Sequence, residues 1–255
     1  MEFIDLSVSL ETDRHWAPWW ARNKVVRQGH RFGALAVFLL TGLTPRFLKN
    51  RLGWSNDMLT LSSHGTTHLD APWHYGPTAG GGRAMTIDEV PLSWCYGPGI
   101  CVDMSHKQDG DAITREDIEA WQGVSGVTIS EGDIVLIRTG MDRLLGKKSY
   151  FTTGPWVTAE ATRYLLEKGV RVTGIDAWGW DGPLNHMARR AKSGEGTFWE
   201  AHYVGTEIPY CHLERLAGLE KLPASGFTLS CFPLKVKGGS GGPSRVVAMV
   251  GSDDD

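Results

Sequence analysis

Alternating apolar and polar residues mark both ends of the chain as sheet-forming. Ile4, Leu6, Val8 and Leu10 fall at every second position, which predicts an opening strand. Near the other end, FTLSCFPLKV (227–236) and RVVAMV (245–250) read as two further β runs. Between them lie a β-rich run from 58 to 70 and three strands: GICVDM (99–104), DIVLIRTG (133–140) and VRVTGID (170–176). Helical signals are fewer. TREDIEAW (114–121) opens on Thr114 as N-cap with Asp117 three residues on. TAEATRYLLEKG (158–169) is the clearest helix, started by Thr158 and stopped by Gly169. The apolar segment 32–53 predicts one or two short helices broken near Pro45, serving as core or as a lid over a pocket. Residues 11–31 are polar and read as loop, and the glycines at 80–82 as a flexible one. With no repeat and no long linker, the pattern predicts one mixed α/β domain over 1–255, richer in strand than in helix.

Composition narrows the functions without changing the fold. Hydrophobic content of 41% and charged content of 22% suit a soluble globular protein. A formal net charge of −3 gives no electrostatic reason to expect nucleic acid or an anionic membrane, so a small molecule is the expected partner. The apolar run LAVFLLTGL (35–43) is too short to span a bilayer. Cys95, Cys101, Cys211 and Cys231 form no CxxC pair, and the acidic start MEFIDLSVSLETD lacks the character of a signal peptide. A cytoplasmic protein with reduced thiols is expected. Eleven tryptophans are many for this length. Trp16, Trp19, Trp20, Trp54, Trp73, Trp178 and Trp180 fall in loop-like segments or beside the motif below, so they predict either a buried aromatic core or an aromatic pocket.

The densest chemistry is HGTTHLDAPWHYG, starting at His64. His64, His68, Asp70 and His74 share eleven positions in a chain with nine histidines. The spacing of His64 and His68 matches a helical HExxH zinc site, but Gly-Thr-Thr lies between them and no glutamate follows the first histidine. An extended segment presenting His64, His68 and Asp70 is the better reading, and it is a competent ligand set for Zn²⁺ or Mn²⁺. A non-haem Fe(II) oxygenase built on His68, Asp70 and His202 competes for the same atoms, leaving His64 and His74 without a role. GMDRLLGKK (140–148) lacks the spacing and the final Ser/Thr of a phosphate loop, and no GxSxG is present.

The run HGTTHLDAPWH resembles the HxGTHxDxPxH signature of the cyclase-like metal-dependent hydrolases, which include bacterial kynurenine formamidases and isatin hydrolases. FIDLSVSL resembles the first strand of that family, and VTGIDAWGWD (172–181) its GIDxxSxD segment. From Ala201 onward the chain is similar to its C-terminal half, including the PLK and GG-x-G-x-P-x-R elements; 11–58 is the least similar part. The resemblance implies a single-domain α/β sandwich of the swivelling β/β/α type. It implies His64, His68 and Asp70 as metal ligands and His74 as proton donor and acceptor. His202, with Glu214 twelve residues later, matches the residues that complete a two-metal site in the formamidase branch. The isatin hydrolase branch has no acid at the position of Glu214 and uses one metal, yet its length and N-terminal segment match better. One or two Zn²⁺ or Mn²⁺ ions and a homodimer or homotetramer are therefore implied. The reaction implied is hydrolysis of an amide C–N bond, as in isatin or an N-formyl aryl amide; formamidase proper or lactone hydrolysis is the alternative. Where the family has serine, this chain has Gly179 between Trp178 and Trp180, which points to a flat, aromatic substrate.

Overall fold

The structure, a computed structural model, describes residues 1–13 and 17–251. They form two compact units, one made of residues 1–9 with the chain from Ser63 onward, the other of 10–62. The larger unit is built on a nine-stranded mixed sheet. Its strands, in chain order, are β1 (Glu2–Asp5), β2 (His68–Asp70), β3 (Tyr96–Asp103), β4 (Ile134–Arg138), β5 (Val172–Ile175), β6 (Cys211–Glu214), β7 (Phe227–Ser230), β8 (Gly241–Pro243) and β9 (Val247–Val250). They lie side by side as β1-β9-β7-β3-β4-β5-β6-β2-β8. The central four, β3 to β6, run parallel, and every other pairing is antiparallel.

Six α-helices are present among the described residues: α1 (His30–Thr41), α2 (Pro72–Tyr75), α3 (Arg115–Ser125), α4 (Ala159–Glu167), α5 (Leu184–Ser193) and α6 (Glu200–Glu207). The parallel strands need crossovers, and α4 supplies the one between β4 and β5. Thr114 caps α3 in a full capping box with Asp117, and Thr158 caps α4 by accepting from the Ala161 N–H at 3.0 Å. Both helix starts thus match the sequence signals. The strand cores are aliphatic: Leu69, Ile134, Leu136, Val172 and Leu213 share one buried cluster, with the free thiols of Cys95, Cys101, Cys211 and Cys231.

Several sequence expectations need correction. Residues 11–31 are not all loop, because Lys24–Gln28 pairs antiparallel with Asn56–Thr60. The glycines at 80–82 sit in a tight hairpin joining Thr78–Ala79 to Gly82–Arg83. FTLSCFPLKV stays in strand only through Ser230, since Pro233 has no N–H to offer a ladder. α5 and α6 are absent from the sequence reading: Leu184, Met187, Ala188 and Ala191 do fall at helical spacing in α5, but they sit among six polar residues, and only Met187 is buried there. Segment 32–53 does form α1 and two 3₁₀ turns, but within α1 only Gly33 and Ala34 are buried.

Candidate metal centre

The site is built by strand alternation. On β2, Leu69 enters the core while His68 and Asp70 point to the opposite face. β6 runs antiparallel beside it, setting His212 opposite Asp70 and Glu214 opposite His68, with Leu213 paired to Leu69 in the core. On the other side β8 places Gly241 opposite Asp70. A Cβ at 241 would lie 2.8 Å from His64 Cε1 and 3.2 Å from Asp70 Oδ1, so only glycine leaves the imidazole its place.

The extended reading holds for His68–Asp70 alone: His64 sits in a turn, and beyond Asp70 the chain becomes helical. Pro72 occupies the first position of α2, where a missing N–H costs nothing. That single turn swings His74 back until its Nε2 is 3.8 Å from Asp70 Oδ2. α6 brings in His202.

Asp70 is the hub. Its Oδ1 lies 2.6 Å from His64 Nδ1 and 3.2 Å from His68 Nε2, and its Oδ2 lies 2.8 Å from His212 Nε2. Glu214 Oε2 is 3.7 Å from His68 Nε2; its Oε1 is 3.2 Å from His212 Nε2 and 3.9 Å from His202 Nε2. Two groupings result, His64-Asp70-His74 and Asp70-His202-His212-Glu214, each with ligating atoms within 4.8 Å of one another. The far ring nitrogens are anchored too. His68 Nδ1 meets Thr66 O at 2.7 Å, His64 Nε2 meets Ser240 Oγ at 3.0 Å, and His202 Nδ1 bonds Asp181. Anchoring one nitrogen orients the other, the arrangement metal-binding histidines use.

Electrostatics favours a cation here. Burial pushes Asp70 upward, but the His74, His64 and His68 side chains hold it well below the usual carboxylate range. Burial likewise opposes ionisation of Glu214, and His212 beside it brings it below the usual range. Against its own burial, His212 is raised to about 9 by the same two carboxylates. His74 moves the other way: burial outweighs Asp70 and lowers it to about 4. Both Asp70 oxygens and the Nε2 atoms of His68 and His212 are buried and make no hydrogen bond. They approach their neighbours closely without donor–acceptor alignment. Buried polar atoms left so cost free energy. A divalent ion ligated by imidazole and carboxylate would satisfy them all, so the residues fit Zn²⁺ or Mn²⁺.

A family model described as "Putative cyclase" matches residues 4–182. The chain belongs to the cyclase family. It is 33% identical over 204 residues to an isatin hydrolase of Roseibium aggregatum, covering 75% of this chain and 73% of that one. With a kynurenine formamidase of Salinibacter ruber it shares 27% over 189 residues, 74% of this chain and 77% of the relative. Among solved structures, isatin hydrolase A from Labrenzia aggregata bound to benzyl benzoate superposes with a TM-score of 0.77 at 27% identity, over 98% of this chain and 94% of that one. No helix among the described residues is long and apolar enough to cross a membrane.

In this cyclase-family chain, the six residues singled out as ligands or proton carrier (His64, His68, Asp70, His74, His202 and Glu214) all converge on one centre. Sequence reasoning missed His212 and Asp181. The signal for His212 was present: in CHLE on a strand, His212 and Glu214 are two apart and share a face.

The tryptophans divide. Trp180 is sealed from solvent, so it is not a substrate contact as expected. Its backbone N–H donates to Glu214 Oε1 at 2.9 Å, its indole N–H to Thr162 Oγ1 at 2.9 Å, and its ring stacks behind His212. Trp178 is nearly buried, under the Arg215 guanidinium at 3.5 Å. Trp73 is partly exposed beside His74, while Trp19 and Trp54 are exposed in the 10–62 unit; Trp16 lies outside the described residues. Unanticipated is Trp199, whose ring stacks on His202 at 4.6 Å with a 4° tilt and lies 5.2 Å from His74. Its backbone takes φ 64°, an uncommon conformation for a bulky residue and one that tends to persist at functional sites. At Gly179 a Cβ would sit 3.5 Å from Glu214 Oε1, ordinary contact, so the backbone here lies directly against the carboxylate.

Proposed function

We propose that this chain is a metal-dependent hydrolase that opens the C–N bond of an amide, cyclic or N-acyl, carried on an aromatic system. The observation that carries the reading is Asp70: a buried carboxylate with four imidazoles around it and no hydrogen bond to either oxygen. The names of its relatives, isatin hydrolase and kynurenine formamidase, support the same class. His64, His68 and Asp70 would hold a zinc or manganese ion, and Glu214 and His202 would take part in holding a second. Such an ion supplies a lowered pKa for a bound water and polarisation of a carbonyl.

The protein's own residues do the rest. His74 stays neutral at neutral pH because its pKa is held at about 4, so it can accept a proton from the attacking water. The same nitrogen then returns that proton to the departing amide nitrogen. Stacking against His64 at 4.1 Å fixes the His74 ring for both transfers. Trp199 offers an aromatic wall beside His74, the side from which a flat substrate would approach. The iron-oxygenase alternative finds less support. His202 groups with Asp70, His212 and Glu214, giving two carboxylates where the facial triad has one.

Adding Zn²⁺ or Mn²⁺ to chelator-treated protein tests the reading directly. An ion held by the folded state alone stabilises it by about 2.7 kcal/mol at a hundred times its Kd. A clear rise in Tm is therefore expected, and an unmoved Tm would argue against a built metal site. Trp199→Ala is expected to raise KM for an aryl amide roughly 2- to 10-fold, the loss of one aromatic stack of about 0.5–1.5 kcal/mol. KM for an aliphatic N-formyl amide should change less; steady-state kinetics on the two substrates makes the comparison.

A further inference from the structure

We propose that His212 is a metal ligand, forming with Asp70, His202 and Glu214 a second cation position beside the one at His64, His68 and Asp70. The proposal rests on the metal-dependent reading above and adds to it a residue that the motif does not contain.

The argument begins at the far side of the ring. His212 Nδ1 lies 3.2 Å from the Tyr210 hydroxyl, and that hydroxyl donates its proton to the carbonyl of Ala201 at 3.3 Å. A phenol has one proton to give, so its oxygen accepts from His212 Nδ1–H. Once its Nε2 proton gives way to a metal, the imidazole keeps its hydrogen on Nδ1 and turns the Nε2 lone pair inward. That lone pair faces Asp70 Oδ2 at 2.8 Å and Glu214 Oε1 at 3.2 Å, and it makes no hydrogen bond to either.

Three electron-rich atoms so placed, on fully or almost fully buried side chains, repel one another unless positive charge lies between them. His202 completes the set. Asp181 binds its Nδ1 and also accepts from the backbone N–H groups of Ala201 and His202 at 2.7 and 3.0 Å. This carboxylate–histidine pair aims Nε2 of His202 at Glu214. The Trp180 N–H steadies Glu214 Oε1 from behind. Two imidazoles and two carboxylates, with His212, His202 and Glu214 each oriented by a neighbour, form a four-ligand site suited to zinc or manganese.

The test is metal binding, read without activity. Metal-free wild type, His212→Ala and Tyr210→Phe are titrated with Co²⁺, following its visible absorption, and bound ions per chain are counted by elemental analysis. Wild type is expected to take up two ions. His212→Ala should keep one at wild-type affinity and bind the other at least about 100-fold more weakly. Tyr210→Phe, which preserves every ligand but frees His212 Nδ1, should weaken that second ion about 10-fold. If His212→Ala fails to fold, the Tyr210→Phe result decides. Two ions bound with unchanged affinity in both variants would overturn the proposal, as would one ion in wild type and in His212→Ala alike, which would leave a proton as the cation on His212. Wild-type protein that binds no ion would instead overturn the hydrolase reading itself.

Discussion

Asp70→Asn is expected to lower kcat/KM by at least about a thousand-fold and to release bound metal, with the fold retained. Asparagine keeps the volume but loses the negative charge on which four imidazoles converge. It also presents an NH₂ group to nitrogens that face a carboxylate oxygen in the native protein. The size of the loss follows from the several kcal/mol of charge stabilisation a bound metal supplies. The fold should survive because strand pairing at this point runs through Leu69 and Leu213 in the core. Elemental analysis and circular dichroism on the purified variant, beside its kinetics, check all three statements. A variant that kept both metal and turnover would remove Asp70 from the centre of the account.

The second large effect is expected at His74. His74→Ala should lower kcat by about 10²- to 10⁴-fold, the usual contribution of a positioned proton carrier, while bound metal stays at the wild-type level. The distances separate the roles. His74 Nε2 lies 3.8 Å from Asp70 Oδ2, whereas His64 and His68 approach Oδ1 at 2.6 and 3.2 Å. Metal content and single-turnover rates measured on the same preparation would decide. Loss of metal together with turnover would make His74 a ligand and leave the proton transfer to another group.

How much of this was legible in the sequence depended on whether the information was local. The HLD strand is written in its own residues, since β-branched threonines and a glycine precede it and the period-2 alternation sends Leu69 one way and His68 and Asp70 the other. The caps of α3 and α4 are equally local, each a threonine accepting from an N–H three residues on. His212 was only half legible: its spacing in CHLE puts it on one strand face with Glu214, but its partner across the sheet is not written locally. Its importance comes from sheet register, which brings residue 212 opposite residue 70 across a parallel-to-antiparallel junction that no local pattern specifies. The tryptophans do not sort from sequence because indole is as useful in a wall as in a pocket. Trp180 holds Glu214 from within, and Trp199 reaches the site only through a left-handed backbone. The helical turn at Pro72 was readable in principle, because proline breaks a helix inside but begins one well.

The central claim is that the residues around Asp70 would hold a metal on which this chain's hydrolysis of an aryl amide depends. Its most direct test is to reload chelator-treated protein stepwise with Zn²⁺ or Mn²⁺ under nitrogen, following ring opening of isatin and deformylation of N-formylkynurenine against bound metal. The account predicts that turnover of at least one of these amides rises in proportion to bound ion and needs no dioxygen. Hydrolysis by fully metal-free protein, or turnover that appears only when dioxygen is admitted, would contradict it.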